Sequence, residues 1–269
     1  TAPAMTPRPD ISWQDVNVDA HVRGPFDRPE LAGQVRIDAL KAAGAGIARL
    51  TARLSGDQGT AHLQAALDGL TLPGQDPTLL AAAPVSLDAT AQLAAPGRPV
   101  TFSVQHPLVQ AQGTAQTSGT LSAHVNLTLP ELAPVAAAAG QQVKGHTALT
   151  LDVTKQGATT TLALQGTLGV TGGQQQAQAL LGDAAQLDLA ASVTGSDARL
   201  TRLHVSGRGV DVKAHGSLMG TRTSLDWAIT VTDLAALDPG LSGTIDATGQ
   251  LNGPEQDLTA TADLNGHIG

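Results

Sequence analysis

The chain has 269 residues, enough for one large all-β domain or two smaller domains, each with a buried core. Hydrophobic residues reach 41% but aromatic residues only 1%, a composition untypical of a compact enzyme, because aromatic rings supply much of the buried area in compact cores. The net charge is −8 and the 15 basic residues are scattered, which argues against a nucleic-acid partner. The lack of cysteine excludes disulfides and Cys-ligated metal sites.

Alternation of apolar and polar residues with a period of two dominates the chain and predicts about fifteen strands, each with one polar face. In chain order, the apolar positions of the clearest strands are Val16/Val18/Ala20/Val22, Ala61/Leu63/Ala65/Leu67, Val85/Leu87/Ala89/Ala91/Leu93, Leu121/Ala123/Val125/Leu127/Leu129, Leu149/Leu151/Val153, Leu162/Leu164/Leu168/Val170, Leu187/Leu189/Ala191/Val193, Val210/Val212/Ala214/Leu218, Leu225/Trp227/Ile229/Val231 and Ile245/Ala247/Gly249/Leu251.

Short turn signals between these strands predict a mainly antiparallel meander. The turn signals are Ser55-Gly56-Asp57, Lys155-Gln156-Gly157, Gly172-Gly173, Gly195-Ser196-Asp197 and Gly253-Pro254. Helical signals are confined to residues 131–139, weakened by Pro134, and residues 174–181. Because so few helices cannot cover fifteen one-sided strands, the apolar faces must meet another sheet, close on themselves or contact lipid.

Two internal similarities indicate a repeated structure. Residues 23–35 align with residues 252–262 as strand, Gly-Pro turn, acidic-Leu pair and strand. Residues 127–134, with Gly145 downstream, match residues 229–236, with Pro239 and Gly243 downstream; in both, a strand ends before an acidic-Leu pair. We expect the array to continue beyond Gly269, so that the chain is an internal fragment of a longer protein.

Candidate catalytic groups are dispersed. Five of the eight histidines fall on the polar sides of strands, where a solvated imidazole needs no function; they are His21, His62, His124, His204 and His215. Four separated carboxylates lie at turns or on polar faces and give no positive support for two-carboxylate glycosidase chemistry; they are Asp183, Asp188, Asp211 and Asp226. The Gly207-Arg208-Gly209 sequence lacks the later glycine and the following helix of a phosphate-binding loop and is interpreted as a turn.

The two repeat pairs and residues 203–218, which read LHVSGRGVDVKAHGSL, resemble the TamB family within the AsmA-like superfamily. The resemblance spans most of the chain. It implies a periplasmic protein of the Gram-negative envelope, anchored in the inner membrane by a segment absent from these residues. It also implies a sheet curled into a taco-like trough with an aliphatic lining, thought to move phospholipid toward the outer membrane or to assist outer-membrane protein assembly. The implied partners are phospholipid acyl chains and an outer-membrane barrel protein of the BamA or TamA kind.

The sequence thus predicts an all-β fold spanning residues 1–269 as one elongated repetitive domain, with a long curved, mainly antiparallel sheet, an aliphatic inner face and few short helices. We expect a lipid conduit or assembly scaffold that is not an enzyme and has no catalytic residue, metal or cofactor. The residues predicted to line the lipid groove are Leu149, Leu151, Val153, Leu162, Leu164, Leu168, Leu187, Leu189, Val193, Val210, Val212 and Leu218.

Three alternatives remain open. The apolar positions could form the ordinary core of a sandwich or barrel. A structural or adhesive β-solenoid would pack its inner face entirely with protein, although solenoids usually show shorter and stricter repeats. A polysaccharide-acting β-helix enzyme would need clustered carboxylates and aromatic platforms for sugar rings, and the shortage of aromatic residues argues against it.

Overall fold

A computed structural model describes residues 3–8, 10–73, 78–138, 140–238, 240–254 and 257–268. Strands make up 68% of the described residues and helices 6%, so the predicted all-β class with few short helices is confirmed. Of the aligned repeat residues, Pro239, Glu255 and Gln256 lie outside the described residues, as do Ala139, the predicted end of the first helix, and Gly269.

The described residues form 18 strands, slightly more than the pattern predicts. The strands are β1 (Met5–Arg8), β2 (Ile11–Trp13), β3 (Asp15–Arg23), β4 (Glu30–Ala42), β5 (Ala45–Asp57), β6 (Thr60–Asp68), β7 (Val85–Gln92), β8 (Pro99–His106), β9 (Val109–Gln116), β10 (Leu121–Leu129), β11 (Val143–Gln156), β12 (Thr159–Gly173), β13 (Ala185–Thr194), β14 (Asp197–Ser206), β15 (Val210–Met219), β16 (Arg222–Val231), β17 (Gly243–Pro254) and β18 (Thr259–Ile268). The helical elements are α1 (Ala133–Ala138), α2 (Gln175–Leu181) and a 3-10 helix (Leu234–Ala236).

The chain divides into two compact units. Unit 1 contains Thr1–Leu127 and Ala137–Gln141, and unit 2 contains Thr128–Ala136 and Gln142–Gly269. In unit 1, each strand from β3 to β8 pairs antiparallel with the next strand, and β9 pairs with β10. The short strand β2 pairs with both β1 and β4. In unit 2, strands β11 to β18 form an unbroken antiparallel meander, as predicted.

The registers keep apolar residues opposite apolar residues across many strands. We call the residues that stand opposite one another on successive strands a row. One row of unit 2 crosses all eight of its strands and consists of Leu151, Leu164, Leu189, Leu203, Ala214, Trp227, Gly249 and Ala262. The neighbouring row, on the opposite face, consists of Thr150, Gln165, Asp188, His204, Lys213, Ala228, Thr248 and Asp263. Because side chains alternate between faces along a strand, unit 2 has one apolar and one polar face.

The sheet of unit 1 follows the same rule. A representative apolar row consists of Val18, Val35, Ala52, Ala65, Leu87, Val104 and Ala111. The apolar side chains of this row are small, and valine and alanine predominate over leucine. Each unit is therefore a one-sided sheet, as the alternation predicts.

Some turn positions differ from the prediction. Ser55-Gly56-Asp57 lies inside β5, and the chain reverses two residues later, where Gln58 and Gly59 have positive φ angles of 50° and 86°. Gly56 instead makes room for Leu31 on β4, because a Cβ at Gly56 would lie 3.0 Å from Leu31 Cδ1. Gly172-Gly173 and Gly253-Pro254 likewise close β12 and β17 rather than forming the turns themselves.

Both helical predictions locate real helices. The first begins at Ala133 rather than residue 131, because the Leu132 backbone N–H donates a 2.8 Å hydrogen bond to Gly145 O of β11. The second helix begins one residue later than predicted and ends at Leu181 as predicted. A short helical element begins inside each member of the second repeat pair, α1 in residues 127–134 and the 3-10 helix in residues 229–236.

Candidate functional site

All twelve residues predicted to line a lipid groove lie on the apolar face of unit 2. They lie on four strands, the adjacent strands β11, β12 and β13 and the strand β15, which β14 separates from β13. Leu151, Leu164 and Leu189 stand directly opposite one another on adjacent strands. The structure therefore brings residues up to 69 positions apart onto one continuous surface.

Protein covers this surface only in part. Eleven of the twelve residues are half-buried, and Val193 is 47% exposed. Within the described residues, only three hydrophobic side chains are fully buried: Val170, Ala185 and Leu234. The accessible surface of the chain is 15912 Å². A folded monomer of 27.1 kDa exposes about 10,800 Å². The leucines and valines thus form an accessible face rather than a sealed core.

The same face includes residues that the prediction did not select. Trp227 and Ile229 on β16 and Leu203 and Val205 on β14 extend the apolar rows beyond β13. Trp227 stands opposite Gly249, and a Cβ at Gly249 would collide with the indole ring. The glycine therefore gives the ring space against β17. The alternation within β14 and β16 shows that each strand has an apolar side. It does not show that this side belongs to the same face as the predicted residues, because that depends on the pairing between strands.

One end of the apolar face is closed by short helices. Val170 and Ala185 are 2% and 1% exposed on this face, and Leu234 of the 3-10 helix is 1% exposed. α2 contacts both β12 and the 3-10 helix. Thr147 is buried in the same region and its Oγ1 donates a 2.7 Å hydrogen bond to Thr167 O. The small core of unit 2 lies at this end.

The Gly207-Arg208-Gly209 segment is a turn between β14 and β15, as predicted, and it also supports α2. Gly209 N–H donates a 2.8 Å hydrogen bond to Leu180 O, and Arg208 N–H donates a 3.3 Å hydrogen bond to Leu181 O. A Cβ at Gly207 would lie 2.5 Å from Leu180 O. The glycines therefore allow the last carbonyls of α2 to pack directly on the turn, which satisfies acceptors that a helix end leaves free.

The opposite face of unit 2 carries ion pairs. Asp211 Oδ1 accepts a hydrogen bond from Lys213 Nζ at 2.8 Å, and its Oδ2 lies 2.6 Å from His204 Nε2. Hydrogen bonds from Lys213 and His204 hold the pKa of the Asp211 carboxyl below its ordinary value. Arg202 Nη2 donates a 2.9 Å hydrogen bond to Asp188. These contacts stabilise the registers of β13 to β15 on the solvent side.

The other two of these carboxylates also lie close to basic side chains. Asp183 Oδ1 lies 3.5 Å from Arg208 Nη2, and Asp226 Oδ2 lies 3.5 Å from His215 Nε2. Among the described residues, no group of three or more His, Cys, Asp or Glu side chains could hold a metal ion. The structure thus places Asp183, Asp188, Asp211 and Asp226 beside separate basic side chains and does not bring two of them together as a catalytic carboxylate pair.

The polar face of unit 1 contains a groove of about 510 Å³. Its lining includes Asp19, Arg53, His62 and Asp88. His62 Nδ1 lies 3.0 Å from Thr90 Oγ1, and Gln64 Nε2 donates a 2.9 Å hydrogen bond to Asp88 Oδ1. Nearby, hydrogen bonds from Arg36 and Arg49 lower the pKa of the Asp38 carboxyl. Here too the polar groups mainly bind one another across neighbouring strands.

Comparisons with protein-family models, with curated proteins and with solved structures found no match to this chain. None of the helices in the described ranges is long and apolar enough to cross a membrane. The chemistry of the two faces is therefore the basis for a functional assignment.

Proposed function

We propose that the apolar face of unit 2 binds the acyl chains of phospholipids and that the chain acts as a non-enzymatic lipid conduit or scaffold. The observation that carries this proposal is a continuous aliphatic face, eight strands wide, that protein leaves half-exposed. Apolar patches of more than a few hundred Å² are rare on soluble monomers unless they bind something.

The chemistry of the face suits acyl chains better than a structured protein partner. Interfaces between proteins are enriched in Tyr, Trp, Phe, Met and Arg, whereas this face consists mainly of Leu, Val, Ile, Ala and Gly with Trp227 as its one aromatic ring in β11–β17. Each methylene removed from water contributes about 0.8 kcal/mol, and an acyl chain needs no hydrogen-bond partner. A smooth aliphatic surface therefore binds such chains with little selectivity among them.

The cellular setting is part of the same proposal. The resemblance to the TamB family supports a periplasmic location in a Gram-negative envelope, in a longer protein anchored in the inner membrane. Phospholipid would then move toward the outer membrane, or the face would assist outer-membrane protein assembly together with a barrel protein of the BamA or TamA kind. A β-solenoid with a closed protein core is less favoured, because most of the aliphatic rows are half-exposed.

Trp227 provides a direct test of acyl-chain binding, because it is a natural fluorophore on the apolar face. The variant Trp13→Phe keeps Trp227 as the single tryptophan. Mixed with phospholipid brominated along its acyl chains, this variant should lose most of its tryptophan emission, since bromine quenches at contact. The measurement is steady-state fluorescence against an unbrominated lipid of the same head group.

A matched control moves the fluorophore by one residue to the other face. The variant Trp13→Phe/Trp227→Phe/Ala228→Trp places the ring in the polar row of the same strand. It should retain its emission with brominated lipid. Equal quenching at both positions, or none at position 227, would overturn acyl-chain binding on the apolar face.

A further inference from the structure

The two ends of the strands of unit 2 are built differently. At one end, the helical end, α2 joins β12 to β13 and the 3-10 helix joins β16 to β17. At the other end, the hairpin end, two-residue turns join β11 to β12, β13 to β14 and β15 to β16; each starts with a glycine of positive φ, namely Gly157, Gly195 and Gly220. In an antiparallel meander, every second connection lies at the same end of the strands. The helical connections of unit 2 therefore lie at one end and the two-residue turns at the other.

Exposure of the apolar face follows the same division. At the helical end, Val170 and Ala185 are 2% and 1% exposed. At the hairpin end, Val193 on β13 is 47% exposed, although it is only eight residues beyond Ala185 on the same strand and face. A molecule lying on the apolar face therefore meets a protein wall at the helical end and open solvent at the hairpin end.

Charge differs between the ends as well. On the apolar face, the row nearest the hairpin end consists of Lys155, Thr160, Val193, Ala198, Leu218, Thr223 and Gly253. Lys155 is the charged member of this row and is exposed, and the next three rows inward on the apolar face contain only uncharged residues. At the helical end the connections carry Asp183, Asp233 and Asp238, with Arg208 beside Asp183. At the hairpin end, Asp197 and Arg222 lie in the terminal row on the opposite face and Asp257 lies in the β17–β18 connection, so Lys155 is the charged group on the apolar face there.

We infer that unit 2 holds phospholipid in one orientation, with the acyl chain ends toward the helical end and the phosphate group at the hairpin end beside Lys155. This inference rests on the proposed function. The distance from the Leu149 row to Lys155 is six residues, or about 20 Å along the strand. One acyl layer is about 15 Å, half of a bilayer hydrocarbon core of about 30 Å. One chain length therefore fits between the wall and the cation.

The orientation can be measured with labels at the two ends, because the chain has no native cysteine. Single cysteines replace Val193, at the hairpin end, or Leu187, toward the helical end, and carry the same thiol-reactive fluorophore. The probes are phosphatidylglycerols with a nitroxide near the head group or near the chain terminus. The head-proximal nitroxide should quench the label at 193 more, and the terminal nitroxide should quench the label at 187 more.

The outcomes separate the orientation from the proposed function. Equal quenching of both labels by both lipids, or the reversed pattern, would overturn the orientation and leave acyl-chain binding intact. Quenching of neither label by either lipid would overturn the proposed function itself. The labels sit on half-exposed or exposed side chains, so folding of each variant is checked by circular dichroism before titration.

Charge reversal at the hairpin end tests the role of Lys155. Lys155→Glu should weaken binding of phosphatidylglycerol about two- to five-fold, the range expected for one exposed ion pair. Arg199→Glu is the matched control, because Arg199 is an exposed cation near the same end, on the polar face opposite Ser192 and Ser217. Equal weakening in both variants would contradict a phosphate position beside Lys155.

Discussion

The contact between Trp227 and Gly249 shows how single residues shape the apolar face. The indole ring fills the space that a side chain at position 249 would occupy, so a large ring lies on the sheet without separating β16 from β17. Gly216 and Gly166 stand opposite Leu225 and Leu149 in the same way, and a Cβ at either glycine would meet the neighbouring leucine. These glycines therefore leave space for the large side chains opposite them and add no side chain that projects from the face. Such a face suits flexible chains that lie across several strands.

The Asp211 cluster gives a pH-dependent prediction. Because the pKa of Asp211 is lower in the folded protein than its ordinary value of 3.8, the ionised carboxylate stabilises the fold above that pH, and this contribution is lost as pH falls through the lowered pKa. Asp211→Asn should therefore lower stability at pH 7 by up to about 1 kcal/mol, a value limited by solvent screening. The difference from the unsubstituted protein should shrink as pH falls below 3.8 and through the lowered pKa of Asp211.

Urea unfolding midpoints at pH 7 and at pH 2.5 measure this effect. Asp263→Asn, on β18 in a row of the same polar face, controls for the loss of a surface carboxylate. A destabilisation by Asp211→Asn that stays the same at both pH values would show that the hydrogen bonds to Lys213 and His204 do not act through the ionised form.

At the scale of elements, the 3-10 helix is the clearest local stabiliser. Asp233 accepts a 3.0 Å hydrogen bond from Ala235 N–H and so caps the helix, which places Leu234 in the small core. Leu234→Ala should destabilise unit 2 by about 2–5 kcal/mol, because it leaves a cavity at a side chain that is 1% exposed. Amide hydrogen exchange in α2 should also quicken, since α2 contacts the 3-10 helix.

Leu237→Ala offers a comparison three residues away. Leu237 is 39% exposed, and its truncation should change stability by less than about 0.5 kcal/mol. Chemical unfolding of both variants gives the two values. If the two truncations had equal effects, the helical end would not be the core of unit 2.

Element prediction from the sequence succeeds where alternation is strong and fails where small residues interrupt it. β13 and β16 are evident because Leu, Trp and Ile alternate with polar residues, whereas β9 has only Val109 and small residues on its apolar side. The turn predicted at Gly56 is misplaced because a strand glycine that receives a neighbouring leucine looks the same in sequence as a turn glycine.

The candidate site shows the same limit. Period-two alternation was enough to select residues that share a face within each strand, such as Leu187 and Leu189. It could not reveal that α2 and the 3-10 helix close one end, because burial of Val170 and Ala185 depends on contacts between segments distant in sequence. The difference between the two ends of unit 2 is visible only in the folded chain.

At the scale of the whole molecule, the large solvent-accessible surface area is the unusual property. The chain exposes about 1.5 times the area expected for a monomer of its mass, and only three hydrophobic side chains among the described residues are fully buried. Backbone hydrogen bonding along the long ladders and burial at the helical end of unit 2 hold the structure together. The remaining aliphatic surface is available for a ligand, and acyl chains are the ligand that its chemistry fits best.

Photo-crosslinking in cells tests the central claim most directly. A photoreactive amino acid replaces either Leu189, in the central apolar row, or Ala190, the next residue on the opposite face. After irradiation, mass spectrometry of the purified protein should show a phospholipid adduct at position 189 and not at position 190. Adducts at neither position, or equal adducts at both, would contradict acyl-chain binding on the apolar face.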